Sequence, residues 1–122
     1  MQVPTWLDGY SASVTVCDAD GTILYMNRLA ARTFAADGGS ALVGQSLFAC
    51  HPAGAAAELR RLLTTHEPNS YTIEKKGQRK LISQAPWWHE DGSYGGIIEV
   101  SMVLPAVLPH FVRDSGGPAP TP

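Results

Sequence analysis

Polar and apolar residues alternate through Ser13-Val14-Thr15-Val16-Cys17, the period-two pattern of a half-buried strand. Asp18-Ala19-Asp20-Gly21 follows, and its glycine suits a tight turn that needs positive φ. Thr22–Met26 then reads as the return strand. Asn27 is placed to cap the next segment, Arg28–Ala36, whose Ala, Leu and Arg content predicts a helix ended by Asp37-Gly38-Gly39-Ser40. Ala41–Phe48 predicts one or two helical turns. His51-Pro52 opens a new element, because the residue before proline avoids the α region. Ala55–His66 is the clearest helix: Leu59, Leu62, Leu63 and His66 fall on one face. Three strands follow: Ser70–Lys75, Lys80–Trp88 with an interruption at Pro86, and Gly96–Leu104. In the last, Ile98, Val100, Met102 and Leu104 share one face and Glu99 and Ser101 the other.

The predicted order is β-β-α-α-α-β-β-β. Hairpins at both ends imply antiparallel pairing, with the central helices on one sheet face. This divides the chain into an N-terminal segment (residues 1–12), an α+β domain (13–104) and a proline-rich tail (105–122). The tail predicts an extended appendage, with Pro118–Pro122 disordered and Phe111-Val112 apolar enough to dock on the domain.

The motifs carry a resemblance. Asp20-Gly21-Thr22-Ile23, Tyr25-Met26-Asn27, and Ala30-Ala31 with Phe34 are similar to the signature of a PAS domain. Leu42-Val43-Gly44-Gln45-Ser46-Leu47 resembles the next PAS segment. Asp91-Gly92 followed by Gly95-Gly96-Ile97-Ile98 resembles the final hairpin. The resemblance covers about residues 10 to 104. It implies a five-stranded antiparallel sheet with helices on one face, and a sensory or ligand-binding role with a cavity between helices and sheet. The inward faces read above place Phe34, Leu47, Phe48, Leu59, Leu62, His66, Ser83, Ala85, Ile98, Val100 and Met102 around that cavity. Asn27 and Gly21 are assigned structural roles, and Gly96 a position where a side chain would obstruct the approach of backbone.

Chemistry narrows the reading further. The 122 residues fit one domain, with a net charge of −2 and no basic footprint for nucleic acid. No apolar run reaches the ~20 residues of a membrane span. With no secretory signal read, a cytoplasmic protein is expected, with Cys17 and Cys50 reduced and buried. His51, His66, His89 and His110 lack metal-site spacing, so no metal is expected. No nucleophile–base pair or phosphate loop stands out, so no enzyme activity is expected.

His66, on the apolar stripe, can face the cavity, and haem-binding PAS domains resemble this placement; His51 is the second axial candidate. The other reading of His66 is a last-turn residue beside free carbonyls. The flavin-binding pattern is not matched, because Cys50 is displaced and no arginine follows it. Lys75-Lys76-Gly77-Gln78-Arg79-Lys80 reads as a solvated turn or a patch for an acidic partner. Trp87 and Trp88 must point to opposite faces, one toward the helices and one outward. An outward tryptophan needs a cover from the Trp6-Leu7 segment, the Phe111 tail or a second copy. The expectation is a small-molecule-binding sensory module acting through a homodimer or a separate signalling protein. The alternatives are a haem sensor and a cofactor-free interaction module.

Overall fold

In a computed structural model of the protein, residues 2–50 and 53–114 are described, the Cys50 side chain excepted. The elements are α1 (Thr5–Asp8), β1 (Ser13–Cys17), β2 (Ile23–Met26), α2 (Arg28–Thr33), α3 (Ala53–Thr65), β3 (Asn69–Lys75), β4 (Gln78–Trp88) and β5 (Tyr94–Val103), with 3-10 turns at Ala35–Asp37, Gly39–Leu42 and Leu47–Cys50. The strands form one five-stranded sheet in the order β2-β1-β5-β4-β3. Every pairing is antiparallel.

The β1–β2 turn closes on Asp18, whose Oδ1 accepts from the backbone N–H groups of Asp20 and Thr22, both at 2.9 Å. Gly21 adopts φ 85°, the left-handed region that its missing Cβ permits. Position 21 also has little room: a Cβ there would lie 3.1 Å from the Phe48 ring.

Three local expectations need correction. The helix from Arg28 stops at Thr33 and continues only as a 3-10 turn. The stretch expected as a helix over 41–48 is stitched instead to the start of β2. There Ile23 N–H donates to Gln45 O, Gly44 N–H to Ile23 O and Leu47 N–H to Gly21 O, each at 2.8 Å. Pro86 does not interrupt β4. The β3 pairing ends at Asn69↔Gln84, so beyond Gln84 only β5 flanks β4, and the open side tolerates a missing N–H. The irregularity falls one residue later, between Trp87 and Trp88.

The short helix α1 had no sequence signal. It is pinned by Tyr25 Oη donating to Asp8 Oδ1 at 3.2 Å and by the Arg28–Asp8 ion pair at 3.3 Å. The tail is coil to Asp114, as expected, but Phe111 does not dock. It is 69% exposed and carries only the Arg113 guanidinium over its ring. Pro118–Pro122 and His51 lie outside the described residues.

The core lies between the helices and one sheet face. Cys17, Ile23, Met26, Ala30, Leu42, Leu47, Leu59, Leu62 and Ile97 form it, with Phe34, Phe48 and Leu63 packed against it. Asn27 is fully buried beside it. Its Oδ1 accepts from Ala30 N–H at 2.9 Å, the expected helix cap, and also from Val14 N–H at 3.0 Å. Its Nδ2 donates to Ala12 O at 2.8 Å.

Asn27→Ala therefore removes more than a cap. It orphans the buried Val14 N–H and Ala12 C=O as well, so the expected loss is about 3 kcal/mol, against about 1 for a cap alone. Urea denaturation of the two proteins measures it.

Candidate functional site

Strand pairing decides which residues look toward the helices. Thr15, Glu99, Gln84 and Asn69 stand at one level across β1, β5, β4 and β3; Ser13, Ser101, Ile82 and Tyr71 stand at the next. Thr15 and Glu99 line a small gap with the core residues Ile23, Met26, Phe34, Leu42 and Leu47, which identifies this as the helix side. Alternation then sends Val14, Val16, Ser83, Ala85, Trp87, Ile98, Val100 and Met102 to the opposite face.

The expected cavity wall is thus inverted on β4 and β5. Ser83, Ala85, Ile98, Val100 and Met102 lie on the outer face, away from the helices. The apolar stripe of β5 predicts the inward side because most half-buried strands bury their apolar side. Here the helix side of the sheet carries hydroxyl, amide and carboxyl groups. Leu47, Leu59 and Leu62 are buried in the core, and Phe48 packs against it, rather than facing open space. Of the expected wall, Phe34 remains on the cavity.

That cavity has a volume of about 240 Å³, several water molecules' worth. Its floor is Ser13, Thr15, Glu99, Ser101 and Ile82. Thr33, Phe34 and Asp37 close it from α2 and the turn that follows. Ile73, Lys75 and Lys80 form the β3–β4 side. The charge run at the β3–β4 hairpin is therefore divided. Lys76 (φ 52°) and Gly77 (φ 76°) make the turn, while Lys75 and Lys80 border the cavity.

A hydrogen-bonded row crosses the floor. Asn69 Nδ2 donates to Gln84 Oε1 at 3.0 Å, and Gln84 Nε2 donates to Glu99 Oε1 at 3.5 Å. The row fixes the Gln84 amide with its NH₂ toward Glu99. At the β3 end of this row a wider hollow of about 430 Å³ opens between Ala55 and Glu58 of α3 and Asn69, Tyr71 and Gln84.

His66 is not on either cavity. It ends α3 in a left-handed conformation, φ 61°, with its N–H donating to Leu62 O at 2.8 Å. That twist turns the ring off the leucine stripe and onto Tyr94, stacked at 3.6 Å between ring centres with planes 8° apart. Trp88 meets His66 edge-on at 5.8 Å. The two tryptophans do separate, but neither enters the core. Trp88 is 52% exposed beside His66, and Trp87 is on the outer face. The Trp87 Nε1–H donates to Cys17 O at 2.9 Å. The indole needs the bare backbone below it, because a Cβ on Gly95 would collide with the ring. A Cβ on Gly96 would collide with Cys17 O and come within 2.7 Å of the Asp18 carbonyl carbon.

The outer face has a hollow of its own. About 300 Å³ lies between the N-terminal residues Val3, Pro4 and Leu7 and the sheet residues Val16, Leu24, Trp87 and Ile98. It is lined almost wholly by carbon. Among the described residues no three His, Cys, Asp or Glu side chains are grouped to hold a metal ion. No helix among them is long and apolar enough to cross a membrane.

The polar floor had a sequence signal: Ser13-x-Thr15, Gln84 and Glu99-x-Ser101 are polar positions of one parity in otherwise apolar strands. Read strand by strand they look like solvent-facing residues. Only the register shows that they meet.

A protein-family model described as PAS fold matches residues 7–104. No curated protein matches the chain. Among solved structures, the Aer2 receptor of Vibrio cholerae, described as a dual PAS-heme oxygen sensor, aligns with TM-score 0.63 at 18% identity, over 81% of this chain and 99% of that one. The PAS domain of Bordetella pertussis BvgS aligns with TM-score 0.60 at 20% identity, over 80% of each chain. A sensory box sensor histidine kinase from V. cholerae aligns with TM-score 0.60 at 18% identity, over 81% of this chain and 86% of that one. At such identities the likeness speaks for the fold.

Cys17 gives the core a pH signature. It is 1% exposed, and burial pushes its thiol pKa up to about 11. The folded state thus holds the proton more tightly than the unfolded chain, whose thiol ionises near 8.5. The resulting stabilisation is complete below about pH 8.5 and lost as pH rises through about 11. The stability gap between wild type and Cys17→Ala is expected to narrow by about 3 kcal/mol across that window, measured by denaturant titration at each pH.

Proposed function

The chain belongs to the PAS fold family, and from that membership we propose that it is a sensory module that binds a small molecule between its helices and the polar face of its sheet. The observation that carries the reading is the 240 Å³ cavity floored by Thr15, Glu99 and Ser101. A few convergent polar groups beside apolar wall residues such as Phe34, Ile73 and Ile82 are what a ligand site needs. The residues assigned to binding are accordingly Ser13, Thr15, Thr33, Phe34, Lys80, Ile82, Glu99 and Ser101. The reading assigns the protein no catalytic reaction and places it in the cytoplasm. A haem role for His66 is disfavoured by its stacking on Tyr94, which engages the ring away from the cavity.

The ligand reading is tested by native mass spectrometry of protein purified under mild conditions. Wild type should carry a bound small molecule, and Ser101→Phe should lose it while melting within a few degrees of wild type. A wild-type spectrum without added mass, together with no thermal shift from a metabolite library, would overturn the reading.

In the same proposal, the signal leaves through the outer face. Its apolar hollow, Leu24 at 40% exposure and Trp6 at 75% exposure favour a two-fold homodimer that buries this face. A separate signalling protein is the alternative partner. Light scattering at high micromolar concentration is expected to give the mass of two chains, and Trp6→Glu combined with Leu24→Lys the mass of one. A monomeric wild type, or a dimer indifferent to both changes, counts against this route.

A further inference from the structure

The deepest polar groups of the inner cavity are uncharged. Ser13 and Thr15 are each 5% exposed, and Ser101 is half-buried beside them. All three line the cavity. Among the described residues none of their three hydroxyls makes a hydrogen bond. Nor are they walled in: among those residues the one sealed side-chain polar atom without a partner is Tyr94 Oη. The hydroxyls therefore open onto the cavity, where a group other than protein has to bond them. The charges around the cavity leave this deep part alone. Glu99 already accepts from Gln84. Asp37 and Lys75 are exposed and keep their water, and Lys80 is only half-buried.

Spacing sets the kind of partner. Ser13 stands opposite Ser101 across β1 and β5, and Thr15 lies two residues along β1 on the same face. The β-carbons of an opposed pair are about 5 Å apart, and the step along the strand is about 7 Å. One carbonyl or amide reaches one or two of these positions, whereas hydroxyls around a ring reach all three. A hydroxyl both donates and accepts, so it matches Ser and Thr whichever way their protons turn. Phe34, Ile73 and Ile82 supply apolar lining for the C–H face of such a ring. A smaller hollow of about 110 Å³ continues the strip, sharing Ser13, Thr33 and Ser101 and adding Ser11.

We propose that the ligand of this cavity, whose existence rests on the reading above, is a small neutral polyol, a cyclitol or single sugar ring, held by the hydroxyls of Ser13, Thr15 and Ser101.

The test uses the full chain. Polyols at high concentration raise melting temperatures by exclusion from protein surfaces, so binding is read by ligand-observed NMR and calorimetry at millimolar concentration. The panel sets hexoses, pentoses, inositols and linear polyols against amides, amino acids and carboxylates of similar size. At least one ring polyol is expected to bind. Its analogues with one hydroxyl replaced by hydrogen are expected to include one at least about tenfold weaker, because a protein hydroxyl then stays unpaired. Thr15→Val and Ser101→Ala are each expected to weaken the parent polyol about five- to tenfold. Thr15→Val also has a readout without ligand: its hydroxyl has no protein partner to lose, so the variant should melt at or above the wild-type temperature. A fall of several degrees shows that the hydroxyl was already bonded and overturns the proposal. Binding by no polyol does so too, as does equal binding by every deoxy analogue. If native mass spectrometry then still finds a charged or amide-bearing molecule, displaced by Ser101→Phe, the ligand site stands and only the polyol fails. A cavity that holds water only overturns both.

Discussion

The arrangement depends on one buried side chain. Asn27 has a single amide, and that amide joins three segments of chain. Its oxygen accepts from the N–H groups of Val14 in β1 and Ala30 in α2, and its nitrogen donates a hydrogen bond to Ala12 O. Longer contacts from the same nitrogen reach the carbonyls of Leu7 and Tyr10, at 3.4 and 3.5 Å. The first helix turn, the first strand and the N-terminal segment are therefore positioned by one residue. A side-chain amide supplies acceptor and donor from one planar group, whereas an ionised Asp of similar size has no donor and Leu has neither.

From that joint the two faces of the sheet acquire different tasks. α2 is set down over the inner face, with Phe34 above Thr15 and Glu99. α1 and the residues before it are set down on the outer face, over Val16 and Ile98. The inner face can afford polar side chains because they bond to one another, as Asn69, Gln84 and Glu99 do. The outer face is apolar where the N-terminal segment crosses it, at Val16, Leu24, Trp87 and Ile98. The division leaves a partly polar cavity beside the core on the inside and a carbon-lined hollow on the outside.

Much of the fold was legible along the chain. The turn at Asp18–Gly21, the cap at Asn27, the leucine stripe of α3 and the alternation of β5 each rest on contacts a few residues apart. The conflict at Gly96 is different: it is with Cys17 O and the Asp18 carbonyl, distant in sequence, and only the habit of glycine at close backbone approaches pointed to it. The short α1 was not legible, because four residues have no periodicity to read. The 3-10 turns were only half legible, because segment 44–47 owes its shape to pairing with β2 rather than to its own propensity.

Local sterics and period were enough to mark the five strands, their alternation and the structural posts at Gly21 and Asn27. Of the cavity lining they pointed only to Phe34. Which parity of β4 and β5 faces the helices was set by packing. Alternation tells which residues share a face, but not which face is covered. That choice is made by the register of four strands and by where Asn27 sets α2 down. The same register brings Lys80 and Glu99 to one cavity from different strands. His66 shows the limit from the other side: its helical spacing placed it on the inner stripe, and one left-handed residue at the helix end turned it onto Tyr94.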